Sequence, residues 1–301
     1  MTKKTCRVTI FTVKKWGESM DLRQLNHEDV LKMLPDRDLF AHKGDFGKLL
    51  LLCGSRGYTG AASLAAMGAL RCGAGLVYLG VPESIYAIEA EKLLEPIVFP
   101  LADSGGMYSK RAIKVLLPML AKMDAVLIGP GMGRSAGTLS AVKAVLENFP
   151  GPVVVDADGI NVLSGHIDIL RGRTGPTILT PHDGEFARIG GVLTEDRTES
   201  AVSFAKRTNT VVLLKGHRTV ITDGKVTYLN TTGNPGMAVG GSGDVLAGMI
   251  TALLGQGLSP VDAAACGAWL HGAAGDICQQ EIGQYGMLPS DMLQVLPRLL
   301  K

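Results

Sequence analysis

The chain has 301 residues, 46 % of them hydrophobic, and a formal net charge of +2. This length and composition allow a sizeable core in one large domain, and the near-neutral charge excludes a nucleic-acid or membrane partner held by electrostatics alone. Glycine is abundant, 39 residues, but it lies in short clusters between apolar runs, which points to tight turns and close backbone approaches and not to disorder.

Residues 1–40 read as an N-terminal arm, basic at Lys3, Lys4, Arg7, Lys14 and Lys15, with a short helix expected within Asp21–Leu34 and ended by Pro35. The apolar stretch near residues 8–13 is too short and too polar for a signal peptide. The main domain is expected over 41–301. Lys48–Cys53 is a short continuous apolar run, the mark of a buried strand, and Thr59–Arg71 follows with small residues at helical spacing. Further strands are expected at Leu76–Val81, Ala125–Ile128, Val153–Val155, Thr177–Leu179 and Val211–Leu214. Amphipathic stretches at Lys110–Ala121, Thr138–Asn148 and Glu199–Arg207 lie between them. This alternation implies a three-layer α/β/α domain on a mostly parallel sheet. A hairpin about Asp223-Gly224 and two closing helices, 243–255 and 260–280, complete the reading. No run of about 18 apolar residues spans a membrane. The five cysteines form no C-x-x-C pair, as expected of reduced core thiols in a cytoplasmic protein.

Polar or glycine-rich clusters follow the expected strands, and in an open α/β sheet such strand ends gather ligands. The most informative is Gly240-Gly241-Ser242-Gly243-Asp244, ahead of the apolar helix from Val245. Its glycines let successive N–H groups point into one concavity, and the helix N-terminus adds partial positive charge. The carboxylate of Asp244 in the first turn is placed to take a proton from an attacking hydroxyl. An N-cap aspartate after a flexible loop has the same local sequence. No Gly-Lys-Ser/Thr follows, so this is not a Walker A loop.

Lys215-Gly216-His217-Arg218-Thr219 offers basic and hydroxyl groups for nucleotide phosphate or ribose, or is an ordinary polar turn. In Thr180-Pro181-His182-Asp183-Gly184-Glu185, His182 is a polar contact and Glu185 a carboxylate suited to magnesium through water, or both acids serve a helix N-terminus. Asp156-Ala157-Asp158 reads first as helix capping, with metal binding as the alternative. Ala61 and Ala62 admit a bulky ligand or close helix–sheet packing.

Together with His42-Lys43-Gly44, Gly60-Ala61-Ala62 and Gly129-Pro130-Gly131-Met132-Gly133, these stretches resemble the ADP/ATP-dependent NAD(P)H-hydrate dehydratases. That family carries the ribokinase-like carbohydrate-kinase domain of the YjeF type. The matching stretches occur in the family's order over about residues 40–300. The resemblance implies phosphorylation of the ring hydroxyl of hydrated NADH or NADPH, the S epimer, followed by loss of phosphate. Its donor is expected to be ADP in preference to ATP, with Mg2+. It further implies that Ala61, Gly131, His182 and Asp244 face the hydrated dinucleotide. Lys215, Gly216, His217, Arg218, Thr219 and Gly243 would face the adenine nucleotide, and the N–H groups at Gly241, Ser242, Gly243 and Asp244 the transferring phosphoryl.

Only about 40 residues precede the domain, so a standalone dehydratase is expected, with a separate NAD(P)H-hydrate epimerase as functional partner. A homo-oligomer, as a homotetramer, is expected from the apolar helix near 260–278. The alternatives are a small-molecule kinase of the same superfamily, of the hydroxyethylthiazole or hydroxymethylpyrimidine type, and a non-catalytic nucleotide binder. A Rossmann dehydrogenase is disfavoured because Gly54-x-x-Gly57-x-x-Gly60 lacks a G-x-G opening.

Overall fold

The computed structural model describes residues 9–15 and 18–300, with side chains from Leu22 onward. Lys3, Lys4, Arg7 and Cys6 lie outside the described residues. The elements run β1 Thr9–Lys15, β2 Glu18–Gln24, α1 His27–Met33, β3 Lys48–Leu52, α2 Thr59–Arg71, β4 Leu76–Pro82, α3 Glu83–Lys92 and β5 Ile97–Leu101. A small hairpin, β6 Asp103–Ser104 and β7 Met107–Tyr108, leads to α4 Ile113–Leu120, β8 Ala125–Ile128, α5 Ala136–Asn148, β9 Val153–Val155 and α6 Asp158–Asn161. Then follow β10 Thr177–Leu179, α7 Asp183–Arg188, α8 Arg197–Thr208, β11 Val211–Leu214, β12 Val220–Thr222, β13 Thr227–Leu229, α9 Ser242–Gly255, α10 Pro260–Glu281 and α11 Pro289–Leu299.

Among the described residues one sheet has the order β1-β2-β13-β12-β11-β10-β9-β8-β3-β4-β5. Its seven strands from β11 to β5 are mutually parallel, and the hairpin β12–β13 turns antiparallel against β11. The central strands β3, β8, β9 and β11 are buried over nearly their whole length because both faces are covered. Leu49, Leu51, Leu127 and Leu213 point to a core shared with α2, α9 and α10. Leu50, Leu52, Val126 and Leu214 point to the opposite core, against α4, α5 and α8. The period of two along each strand thus divides one apolar run between two layers.

The short helix expected within Asp21–Leu34 is His27–Met33. Residues 18–24 pair in the sheet, in parallel with β13, and the helix begins only at His27. Asn26 sets that start: its side chain accepts from Asp29 N–H while the Asp29 carboxylate accepts from Asn26 N–H, a reciprocal cap. The end of the chain also differs, because α11 follows the two closing helices expected there. Helix α10 spends its apolar surface inside the chain, against α9 and α11, so its composition marks no free face for self-association. Of the described cysteines, Cys53, Cys72, Cys266 and Cys278 are buried.

Two features aim the fold at a site. After β3 the chain continues to β4 and β5 on one side, and from β8 it continues through β9, β10 and β11 on the other. The β3/β8 boundary is therefore a topological switch point, where a crevice opens at the carboxyl ends of the strands. Helices α2 and α9 also touch backbone to backbone. A Cβ on Gly68 would stand 2.6 Å from the Val245 carbonyl oxygen, and one on Gly248 would overlap that of Ala65. This contact brings the first turn of α9 beside α2 at that crevice.

Candidate active site

The loop after β3 leads to Ala61 on the first turn of α2, and the loop after β8 brings Gly131 against it. A Cβ on Gly131 would lie 2.7 Å from Ala61 Cβ and 3.1 Å from Tyr58 Cβ, and φ there is +61°, so glycine is required twice over. Ser55 Oγ donates to the Gly131 carbonyl at 2.7 Å and ties the two loops together.

After β9 the two carboxylates diverge, and neither caps α6. Ala157 between them has φ 51° and ψ −116°, a strained backbone for a residue with a Cβ, and it is itself the N-cap of α6 with no side-chain bond. That turn sends Asp158 to the Gly131 loop, where it accepts from Gly133 N–H at 2.9 Å and Asn161 Nδ2 at 3.2 Å. Asp156 goes the other way and is buried. Its Oδ1 accepts from Thr180 Oγ1 at 2.7 Å and from Lys215 Nζ at 3.0 Å. The capping role expected from sequence thus gives way to a buried ion pair formed across 59 residues.

After β10, His182 and Glu185 cap α7 reciprocally. His182 Nδ1 accepts from Gly184 N–H at 3.0 Å and Glu185 N–H at 3.3 Å, and Glu185 Oε2 accepts from His182 N–H at 3.0 Å. Because Nδ1 accepts, the His182 proton is on Nε2, on a ring more than half exposed. The buried Glu185 carboxylate also lies 3.9 Å from Lys215 Nζ. Lys215, after β11, thus stands between Asp156 and Glu185. Burial pulls its pKa down, but the facing carboxylates Asp156 and Glu185 outweigh that and raise it, so the ammonium stays charged.

The rest of the 215–219 loop is held by bonds to its neighbours. Arg197 Nη2 donates to the Lys215 carbonyl at 2.9 Å while its Nη1 holds both Asp183 oxygens at 2.7 and 2.8 Å. Thr219 Oγ1 closes the loop on Gly216. His217 and Arg218 line an outer cleft of ≈ 490 Å³ together with Glu195 and Asp196, which does not include Gly241–Asp244.

The fifth strand-end element is the start of α9. Gly241 is its N-cap with φ +97°, and a Cβ there would run into Leu64 of α2. Ser242 N–H donates to the Val239 carbonyl, whereas no backbone acceptor faces the N–H groups of Gly243 and Asp244 among the described residues. A Cβ on Gly243 would lie 3.5 Å from Lys215 Nζ and 4.0 Å from Asp156 Oδ2, so the ammonium and the free N–H groups border the same space. Asp244 has its pKa raised to about 6, first by burial and then by the nearby Asp156 charge, with Lys215 opposing. It is a carboxylate poised to change protonation near neutral pH.

Sequence reading did not assign His271. It is buried on α10, 29 residues from Ser242, and its Nε2 lies 3.3 Å from Ser242 Oγ. Thr180 was seen within its motif but given no role; its bond to Asp156 depends on the pairing of β9 with β10.

An open, mostly parallel sheet, a helix N-terminus with free N–H groups, a buried lysine and a raised carboxylate give a ribokinase-like α/β fold with a candidate anion site at the start of α9. A ribokinase-like superfamily protein from Enterococcus faecalis superposes with TM-score 0.81 at 27 % identity, covering 93 % of this chain and 95 % of that one. The chain belongs to the NAD(P)H-hydrate dehydratase family, whose profile matches residues 49–298. The ADP-dependent (S)-NAD(P)H-hydrate dehydratase of Bacillus subtilis is 36 % identical over 283 residues, covering 91 % of this chain and 96 % of the relative. A crystal structure of the ADP/ATP-dependent NAD(P)H-hydrate dehydratase of that species, co-crystallised with ATP and Mg2+, superposes with TM-score 0.77. It covers 91 % of this chain and 96 % of that one at 34 % identity. A bifunctional NAD(P)H-hydrate repair enzyme of Moorella thermoacetica is 47 % identical over 275 residues. That match covers 89 % of this chain and 52 % of the relative, so the chain spans about half the length of such bifunctional relatives. A hydroxyethylthiazole kinase of Pyrococcus horikoshii shares the fold at TM-score 0.61 and 18 % identity.

Proposed function

We propose that the chain dehydrates the S epimer of hydrated NADH and NADPH with ADP as phosphoryl donor, returning the dinucleotide, AMP and phosphate. The observation that carries this is the raised Asp244 carboxylate in the first turn of α9, beside free N–H groups and the Lys215 ammonium. Family membership supplies the substrate class.

In this mechanism the hydrated ring lies in the crevice beside the Gly131 loop where it packs on Ala61, and His182 Nε2–H donates to it. Asp244 removes the proton of the ring hydroxyl as its oxygen bonds to the β-phosphorus of ADP and the bond to AMP breaks. Gly243 and Asp244 N–H groups and Lys215 Nζ stabilise the charge on the transferring oxygens. Phosphorylation makes the ring oxygen a good leaving group. The ring nitrogen's lone pair expels phosphate with cleavage of the C–O bond, and the adjacent carbon gives up a proton to restore the double bond. The 215–219 loop, with Gly243, borders the adenine nucleotide.

Among the described residues no cluster of three or more side chains is arranged to hold a metal, and Glu185 is engaged by His182 and Lys215. Magnesium therefore fits as an ion carried by the nucleotide, with Glu185 reaching it through water, and no step is assigned to it. The chain's proposed setting is the cytoplasm, with an NAD(P)H-hydrate epimerase as functional partner. No helix among the described residues is long and apolar enough to cross a membrane.

As a base, Asp244 must be ionised. We expect kcat/KM to fall as pH drops through about 6 and to level off above it. A flat profile between pH 5 and 8, measured where the fold is intact, contradicts Asp244 as the base. Phosphate release from the hydrate with ADP and then with ATP tests the donor: faster release with ADP supports the reading, and a stable phosphorylated product supports a small-molecule kinase instead.

A further inference from the structure

Helix α10 is apolar almost throughout its 22 residues, yet between Ala268 and Asp276 it carries a stripe of polar contacts, all directed at one segment. That segment, 230–242, joins β13 to α9 and ends in the anion-binding turn. Asn230 Nδ2 donates to the Ala268 carbonyl at 3.2 Å, and Thr232 Oγ1 donates to the Trp269 carbonyl at 2.9 Å. The Asp276 carboxylate accepts from Gly233 N–H at 2.9 Å and Asn234 Nδ2 at 3.1 Å. At the far end of the segment, His271 Nε2 meets Ser242 Oγ. Gly272 and Gly275 let the chain lie flat on the helix, since a Cβ on either would overlap Thr232 or Met237. The helix therefore grips the segment at both ends and is pared down in between.

We propose that His271 is a positioning residue for the phosphoryl-binding turn: through Ser242 it fixes the direction of the Gly243 and Asp244 N–H groups. It touches neither substrate. Its geometry suits that task. Gly240 and Gly241 precede this helix N-terminus, and Leu64 of α2 and Pro289 of α11 bound the Gly241 turn. His271 holds the next residue, Ser242, through its side chain. Burial holds the imidazole neutral, its pKa lowered to about 4, so it is not a second base competing with Asp244. A neutral ring keeps one hydrogen-bonding role per nitrogen and holds Ser242 without adding charge beside Lys215.

The catalytic part of this inference rests on the proposed reaction, so the test carries a readout that does not. His271→Leu and His271→Gln are compared with the wild-type chain, the second because its amide reaches where Nε2 stands. Turnover of the hydrate with ADP is measured alongside amide hydrogen exchange over residues 239–281. We expect His271→Leu to lower kcat on the order of 10²-fold while the KM for ADP moves far less, since a small misplacement of charge-stabilising donors acts on the transition state. Exchange is expected to accelerate at Ser242 and Val245, whose N–H groups donate to the Val239 and Gly241 carbonyls, and His271→Gln to recover most of both. Wild-type exchange in His271→Leu overturns the inference, and so does faster exchange spread evenly over α9 and α10 without recovery by glutamine. If the wild-type chain fails to turn over the hydrate, the reaction assigned above is wrong, and the exchange at Ser242 and Val245 still decides the positioning role.

Discussion

Asp244→Asn is expected to lower turnover of hydrated NADH by about 10²–10⁴-fold and, at pH 7.5, to raise the melting temperature by several degrees. Both effects come from one placement. The carboxylate is buried and faces the Asp156 charge, so the folded protein holds a proton there up to about pH 6, against a reference of 3.8. A folded-state pKa above the unfolded one favours folding fully only below the unfolded value, and the benefit is lost as pH rises through about 6. At pH 7.5 the ionised group therefore costs stability, ~3 kcal/mol from the interval between 3.8 and 6. Asparagine removes that cost together with the base. The gain in melting temperature should shrink when both proteins are unfolded below pH 4. A variant that is inactive and also less stable at neutral pH would point to a structural aspartate.

Lys215→Met is expected to lower kcat by about 10²–10³-fold and to cost about 3–5 kcal/mol in stability. The first effect follows from an ammonium 3.5 Å from where a Gly243 Cβ would stand, bordering the free N–H groups. The second follows from Asp156, which is almost fully buried and would be left without its cationic partner. The double variant Lys215→Met/Asp156→Asn separates the two: stability should return, because the orphaned carboxyl group is gone, while turnover should not. Recovery of turnover in the double variant would mean that Lys215 serves only to neutralise Asp156.

The parts of this site differ in how far sequence could reveal them. Gly240–Asp244 was legible because its chemistry is local: glycines, a helix start and a carboxylate within five residues. The central strands were legible too, since burial on both faces makes runs such as Leu49–Leu52 and Val153–Val155 apolar without interruption. Helix α3 was missed because it buries only Ile85 and Glu89, too little to make a periodic stripe. Strand β5 was missed because it sits at the sheet edge, carries Pro100 and leaves Ile97 exposed. The pairings that tune the site are long-range. Asp156 with Lys215 and Ser242 with His271 exist only once the strands are in order and α10 is packed on α9. Asp156 read as a cap because a carboxylate ahead of a short helix ordinarily is one. The strained turn at Ala157, which redirects it, has no signature in an alanine.

The central claim is that phosphate is placed on the ring oxygen and then leaves with it. The most direct measurement uses (S)-hydrated NADH carrying oxygen-18 in the ring hydroxyl, incubated with the chain and unlabelled ADP. One labelled oxygen is expected in each released phosphate, with one AMP formed per dinucleotide restored. Label found in water with unlabelled phosphate, or a phosphorylated dinucleotide that persists, would contradict the account.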